Sequence, residues 1–524
     1  MKNRIRYSEK FWVPIIILAV VTLLTVGSSP LFRTNPWDDS NAMLTMGRSM
    51  LHGVVPYRDV IDQRGPVLYA VFALGALFKE TNFFGVFIVQ CLNLLCTYII
   101  SYRIAKDMTS EMIAPQWAAL FGPLALISTS AFGLSGAPEE FAFTSVLYLL
   151  YIINHYHRHV STIPVTVYYF LGLNLSLVFW NKYSLIGAFC AFFIWVAIEL
   201  LRQYDFRRLL RVVIASLAGF LTISMLVVVY FLYHHALDDL INIYFVQNLT
   251  SYGKTDQTIL MQLWRLLLLV ATEVGLHPFV SAFIIFGWLK AIYNRENMIL
   301  EIVLFLSSLF FVAMQHWVID YYNIVWLPFL AIALLRIASI RLPESLMRPT
   351  VQAQIPLLMT ALLLILPMVN NRSALGRLVI SNEETAIDGQ SYVAQPQFAT
   401  AMRKNTDSRQ QPTMIMINSL DKGFYLSAQA LPTTRFWHRL NMSYQQLPQM
   451  YDAFANTMRQ KQVQFVIIKL NTPPENDATL LKEQINRAID SHLQQPLFNN
   501  YRIDETARNG NNDSYVLMRL KNLE

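Results

Sequence analysis

The chain has 524 residues, of which 54% are hydrophobic and only 14% charged, and its mean hydropathy is +0.37. Soluble domains carry about 25% charge, so this composition excludes a disordered, collagen-like or ordinary cytosolic protein. Its apolar runs come close to or exceed the roughly 18 residues of a bilayer-crossing helix, without alternating, which predicts an α-helical polytopic membrane protein rather than a barrel.

The N-terminus carries Lys2, Arg4, Arg6 and Lys10 ahead of an apolar run from Phe11 to about Val26. A small-residue cleavage pattern is weak there and many apolar runs follow, which predicts an uncleaved first helix starting in the cytoplasm. Further runs at about 83–102, 114–132, 141–154, 163–180, 184–201, 212–233, 277–293, 299–315, 320–338 and 353–370 bring the predicted spans to eleven. Two more segments, a short one at 66–78 and one at 259–275 broken by Arg265 and Glu273, suit helices lying in the interface.

Loop charges test this count. Eleven spans put Arg103, Lys106, Arg158, Arg202, Arg207, Arg208, Arg211, Lys290, Arg295, Arg336, Arg341 and Arg348 on the side of the N-terminus, and leave the short loops of the other face only Lys182 and Lys254. Positive residues stay inside; counting 66–78 as a span would invert everything after it. The expectation is an odd number of spans in a plasma-membrane protein, cytoplasmic at its start. The net charge of +7 is then topological, and no nucleic-acid partner is expected.

Two parts face the exterior in this reading: a first loop at about 31–82, and the polar region 371–524 beyond the membrane module 1–370. That region holds seventeen of the 41 basic residues. Within it, 414–419, 463–470 and 515–520 read as strands, and 396–404, 447–462 and 476–491 as helices, predicting a small extracytoplasmic α/β domain. Cys91, Cys96 and Cys190 lie in apolar segments, so neither a disulfide framework nor a cysteine metal site is expected. His155, His157 and His159 alternate in a cytoplasmic loop, which suits a polar interfacial loop better than a metal site.

The first loop concentrates the chemistry. Asp38, Asp39, Asp59 and Asp62 are interleaved with Arg48, Arg58 and Arg64 beside apolar segments that belong on the bilayer surface. A solvated loop of mutually satisfied charges is one account; acids gathered at a membrane boundary also mark function. Glu139 and Glu140 follow the third span, where acids also suit a helix N-terminus. Lys182 could snorkel or bind an anion. His316, Asp320, Tyr321 and Tyr322 could form an aromatic belt or line the same site. Acids strung along several spans, as a proton relay needs, are missing from the pattern, and so is a Gly-rich phosphate loop.

The ordered set WDDSN, GRSMLHGVVPYRDVIDQRGPVLY, GAPEEF and FWNKYSLIG resembles the GT-C superfamily of membrane glycosyltransferases. Within it the chain is similar to the bacterial cell-envelope branch related to protein O-mannosyltransferases and to the aminoarabinose transferase of lipid A. PYRDVIDQRGPVLY is the most specific stretch, and the likeness covers about 1–340. It implies a sugar taken from a polyprenyl-phosphate carrier on the outer face and given to a cell-envelope glycan, teichoic-acid-like polymer, lipid or protein. It also implies a first-loop acid as general base: Asp39, with Asp38 as the alternative. Arg64 stands where many relatives have lysine. Arg58, Asp59, Asp62, Arg64, Glu139, Glu140, Lys182, His316, Tyr321 and Tyr322 are the expected donor and phosphate contacts. Attack from the opposite face would invert the anomeric centre. No cofactor is required, though so many acids could hold a divalent cation. A transporter or flippase of lipid-linked sugars is the alternative, and it would place its decisive charges at mid-membrane. A C-terminal functional domain on a membrane anchor is a third reading, and so many spans exceed what anchoring needs.

Overall fold

The computed structural model describes residues 12–31, 35, 37–108, 113–133, 135–252, 258–315, 320–340, 349–370, 393–509 and 513–521. Apolar helices dominate its first part: α1 (Trp12–Thr25), α2 (Asp38–Leu51), α3 (Pro66–Phe78), α4 (Phe84–Asp107), α5 (Pro115–Ala118), α6 (Phe121–Ile127), α7 (Pro138–His155), α8 (Val165–Asn181), α9 (Gly187–Arg202) and α10 (Phe206–Tyr233). After a short α11 (Leu237–Leu240) and a wide π-type coil at Ile241–Tyr252 come α12 (Ile259–Leu276), α13 (Pro278–Tyr293), α14 (Ile299–Ala313), α15 (Leu327–Ala338) and α16 (Pro349–Asn370). Proline opens α3, α5, α7 and α13 at the first turn, where its missing N–H costs nothing.

Each run read as a span contains helix, although 114–132 is split into α5 and α6 and 320–338 opens in a 3-10 segment at Asp320–Trp326. Five helical stretches, Phe84–Asp107, Phe206–Tyr233, Ile259–Leu276, Tyr321–Ala338 and Gln352–Val369, are long and apolar enough to cross a bilayer, and shorter apolar helices accompany them. The stretch broken by Arg265 and Glu273 is therefore one continuous helix, since charge on a helix face does not interrupt backbone hydrogen bonding. Leu210, Ile214, Leu217, Leu221 and Leu226 of α10 are exposed, as a lipid-facing surface requires. Its other side meets α8 backbone to backbone: a Cβ on Gly172 would lie 2.0 Å from the Ser216 carbonyl oxygen, and one on Gly219 1.9 Å from that of Tyr169. Such small-residue contacts hold helices together where lipid removes the hydrophobic drive.

A buried pair of charges escaped the sequence reading. Arg336 of α15 donates to both carboxylate oxygens of Glu301 on α14, at 2.8 and 2.5 Å, and the Trp288 indole adds a third bond at 2.9 Å. The two charges neutralise each other, so they tie helices together rather than form a relay.

The C-terminal region contains α17 (Ala394–Lys404), β1 (Met414–Met416), α18 (Phe424–Ala428), α19 (Pro448–Arg459), β2 (Phe465–Leu470), α20 (Ala478–Ala488), α21 (Ser491–Asn500), β3 (Tyr501–Arg508) and β4 (Ser514–Leu520). The sheet order is β1-β2-β4-β3, with β1 parallel to β2 and the other pairs antiparallel. β3 is an addition to the three expected strands. Its core is continuous with the first loop: Ala42, Met46, Tyr57, Val60, Ile61 and Tyr69 join one buried cluster with Met414, Trp437, Phe454, Ile467 and Leu517. The Ile61 amide donates to the Arg435 carbonyl at 2.8 Å, and the Trp437 indole to the Ile61 carbonyl at 3.3 Å.

Candidate active site

Helix α2 begins on the acid pair itself. Asp38 and Asp39 occupy its first turn, where the helix dipole favours negative charge. Adjacent helix positions project about 100° apart, and the two carboxylates find different partners. Asp39 Oδ1 lies 2.7 Å from Arg64 Nη2. Asp38 Oδ2 lies 2.5 Å from Nζ of Lys422, which comes from the loop before α18. The side chain of Asp38 remains 38% exposed, that of Asp39 only 16%.

Arg64 joins two acids. Its Nη1 lies 2.6 Å from Asp62 Oδ2, whose side chain is wholly buried, with His438 Nε2 at 3.6 Å from the same oxygen. Burial works to raise the Asp62 carboxyl, but Arg64, with His438 and Tyr69, holds it well below the usual carboxylate range. Burial likewise opposes the Arg64 charge, and Asp39 and Asp62 more than offset it, so the guanidinium stays firmly protonated. Gly65 is required for this geometry: a Cβ there would lie 2.2 Å from the Trp180 carbonyl oxygen and 2.3 Å from that of Asn181. The loop thus runs against the end of α8, bringing Arg64 and Lys182 to the same side of the bundle.

Glu139 and Glu140 open α7 and also diverge. Glu139 Oε1 lies 2.6 Å from Lys182 Nζ. Glu140 Oε2 instead accepts from Gln90 Nε2 and from the Gly136 amide, both at 2.9 Å. One acid meets a cation; the other fixes the turn leading into the helix. Lys182 Nζ also stands 3.8 Å from the ring centroid of Tyr322 and 5.6 Å from that of Tyr321. Tyr321 meets Trp37 edge-on at 5.4 Å, beside the head of α2.

Most of the expected residues therefore meet: Asp38, Asp39, Asp62, Arg64, Glu139, Lys182, Tyr321 and Tyr322 form a linked group, with Glu140 behind it. Arg58 and Asp59 do not join it. They pair with each other at 2.7 and 2.8 Å, and Arg58 donates to the His234 carbonyl at 2.6 Å, tying the loop to the end of α10. Among the described residues neither bonds to Asp38, Asp39, Arg64 or Lys182. His316 lies outside the described residues. Asp421, Lys422, His438 and Asp513 of the C-terminal region were missed. Only the turn-forming glycine in SLDKGF marks any of them in the sequence.

Among the described residues no group of three or more His, Cys, Asp or Glu side chains is placed to hold a metal ion. A cavity of about 370 Å³ lies elsewhere, at the opposite end of α4, α7 and α15, lined by Asp107, His155, Arg158, Lys290, Glu296 and Arg336. It shares no residue with the acid group, whose convergent charges define the chemistry more directly than empty volume does.

The chain shares this fold, a bundle of apolar helices joined to a small α/β region, with a solved structure. It is similar to the crystal structure of ArnT from Cupriavidus metallidurans bound to undecaprenyl phosphate, with a TM-score of 0.58 at 13% identity over 96% of each chain. It is equally similar to the apo state of ArnT from that organism, with a TM-score of 0.58 at 12% identity over 98% of each chain. The crystal structure of the Archaeoglobus fulgidus oligosaccharyltransferase, tethered with an acceptor peptide, gives a TM-score of 0.46 at 11% identity over 95% of this chain and 73% of the other. No protein-family model and no curated protein matches the sequence.

Proposed function

We propose that the protein is a membrane glycosyltransferase that takes a sugar from a polyprenyl-phosphate carrier and passes it to a cell-envelope acceptor, inverting the anomeric centre. The observation that carries this reading is the acid pair at the head of α2, Asp39 set against Arg64 and Asp38 against Lys422. The likeness to a structure holding undecaprenyl phosphate supports a polyprenyl carrier as donor.

In this mechanism the acceptor oxygen attacks the anomeric carbon as the bond from that carbon to the carrier phosphate breaks. A carboxylate of the pair takes the hydroxyl proton, Asp39 being the residue that the family resemblance favours. The phosphate leaves with the bonding electrons and needs a cation. Lys182 can meet it, because an ammonium has three N–H donors and Glu139 and the Tyr322 ring engage only part of them. Arg64 adds a fixed positive charge nearby.

The basic residues between apolar runs support a cytoplasmic N-terminus and an acid group on the outer face, with 371–524 as an extracytoplasmic domain. The test is transfer or sugar release by the purified full chain with a panel of polyprenyl-phosphate sugars. Asp39→Asn and Asp38→Asn should each be measured, and loss of a general base lowers the rate by about 10² to 10⁴. Wild-type turnover of one donor, lost in at least one variant that still folds, is the expected result. Full activity in both variants refutes the acid-pair mechanism.

A further inference from the structure

The cation that meets Asp38 comes from the far end of the chain and is itself held in place. Lys422 Nζ lies 2.5 Å from Asp38 Oδ2 and 3.0 Å from Asp513 Oδ2. Asp513 Oδ1 lies 2.7 Å from Lys469 Nζ, and its other oxygen accepts from the Tyr515 hydroxyl at 3.1 Å. Charges thus alternate in a line: Asp38 on α2, Lys422 before α18, Asp513 before β4, Lys469 on β2.

The backbone carrying Lys422 is clamped to the same helix that Lys422 reaches. Asp421 Oδ2 accepts from Thr45 Oγ1 at 2.8 Å, two turns along α2 from Asp38. Asp421 Oδ1 accepts the amides of Gly423 and Phe424, each at 3.0 Å. Gly423 supplies the left-handed φ of 92° that this turn needs. Asp39 is committed to Arg64 and is the less exposed acid of the pair.

We infer that Lys422 is a positioning residue for the transfer reaction: it grips one oxygen of Asp38 and leaves the other for the acceptor hydroxyl, while Asp39 serves Arg64. The inference rests on the proposed transfer but places the base at Asp38, the acid whose second oxygen is left open, where the family resemblance alone favours Asp39. Burial raises the Asp38 carboxyl and Asp39 adds to that, with Lys422 as the main counterweight. Without Lys422 the carboxyl rises further, so a base that must be ionised is lost at a higher pH as the solution is acidified.

The experiment is the pH dependence of kcat for the full-length protein in lipid nanodiscs, with a donor that the wild type turns over. Lys422→Met should lower kcat about ten-fold at neutral pH and move the acidic limb up by about one unit, changing donor KM less. Lys422→Arg should restore the limb. Arg435→Ala is the docking control: it breaks another bridge between the same two parts, Arg435 to Asp239 at 2.9 Å, and should leave the limb in place. In an Asp38→Asn background, Lys422→Met should cost less than about two-fold more, since a residue acting through Asp38 has nothing left to position.

A wild-type limb in Lys422→Met overturns the inference, as do the same shift in Arg435→Ala and additive losses in the double variant. If the wild type transfers sugar from no donor, the proposed function fails and this inference with it. An active wild type beside an unaltered Lys422→Met limb refutes the inference alone.

Discussion

Arg64 offers the sharpest energetic test, because it neutralises two enclosed carboxylates at once. Asp62 is wholly buried 2.6 Å from one guanidinium nitrogen, and Asp39 lies 2.7 Å from the other. Arg64→Met keeps much of the packed volume and removes the charge. Asp62 then keeps only neutral or distant partners, the backbone amide of residue 64 at 3.3 Å and His438 at 3.6 Å, with the Tyr69 hydroxyl beside them, and no full charge in contact. Stranding one member of a buried pair costs about 3–5 kcal/mol, a large share of the roughly 5–15 kcal/mol that holds a folded protein together. Asp62→Asn in the same background removes the stranded charge and should recover most of the loss. The assay is thermal unfolding in nanodiscs, followed by tryptophan fluorescence, across wild type, both single variants and the double variant. The sign with pH is also fixed. In the wild type Asp62 is held below its unfolded value, so its contribution is complete at neutral pH and disappears only in strong acid. In Arg64→Met burial raises the same carboxyl, so the deficit narrows as pH falls. An Arg64→Met protein within about 1 kcal/mol of wild type, or no recovery by Asp62→Asn, refutes the reasoning.

Gly65→Ala should lower the unfolding temperature and sugar transfer together, because its Cβ would meet two backbone oxygens of α8 within 2.3 Å, and overpacking of this kind costs about 1–3 kcal/mol; unchanged melting would show that the loop can retreat. Glu139→Gln and Glu140→Gln should separate. The first loosens Lys182 and should weaken transfer with little change in melting, and the second disturbs a buried turn and should appear first in stability; equal, negligible effects in both assays would contradict the assignment. Protease added to intact cells should cut within 371–524, whereas inside-out vesicles should protect it; the reverse pattern would overturn the proposed orientation.

The helices were readable because lipid makes a simple demand: a long apolar run that satisfies its own backbone. The acid pair was readable too, since doubled aspartate directly before a helical segment is an economical use of a helix N-terminus. Which acid meets which cation was not. Asp39 meets Arg64 of its own loop, whereas Asp38 meets Lys422 hundreds of positions away, and nothing local to WDDSN or SLDKGF encodes that second meeting. Asp421, Lys422, His438 and Asp513 read as ordinary surface charges until the C-terminal region docks. Arg58 shows the opposite failure: it sits in the most distinctive motif of the loop yet is spent on Asp59 and a helix end. Strand β3, YRIDETAR, was missed because at the edge of its sheet it is mostly half-exposed and carries polar residues where an inner strand would be apolar.

The core shared by the first loop and the C-terminal sheet imposes an order on how the protein is made. Thr45 meets Asp421, and Ile61 meets Trp437, across 376 positions. At a synthesis rate of about 5–20 residues per second, the early loop waits roughly 20 to 75 s for its cover. During that interval Tyr57, Val60 and Ile61 lack their later neighbours in the shared core. The lysine that grips Asp38 is made long after the acids it serves, so a chain truncated before it would present the acids without that partner.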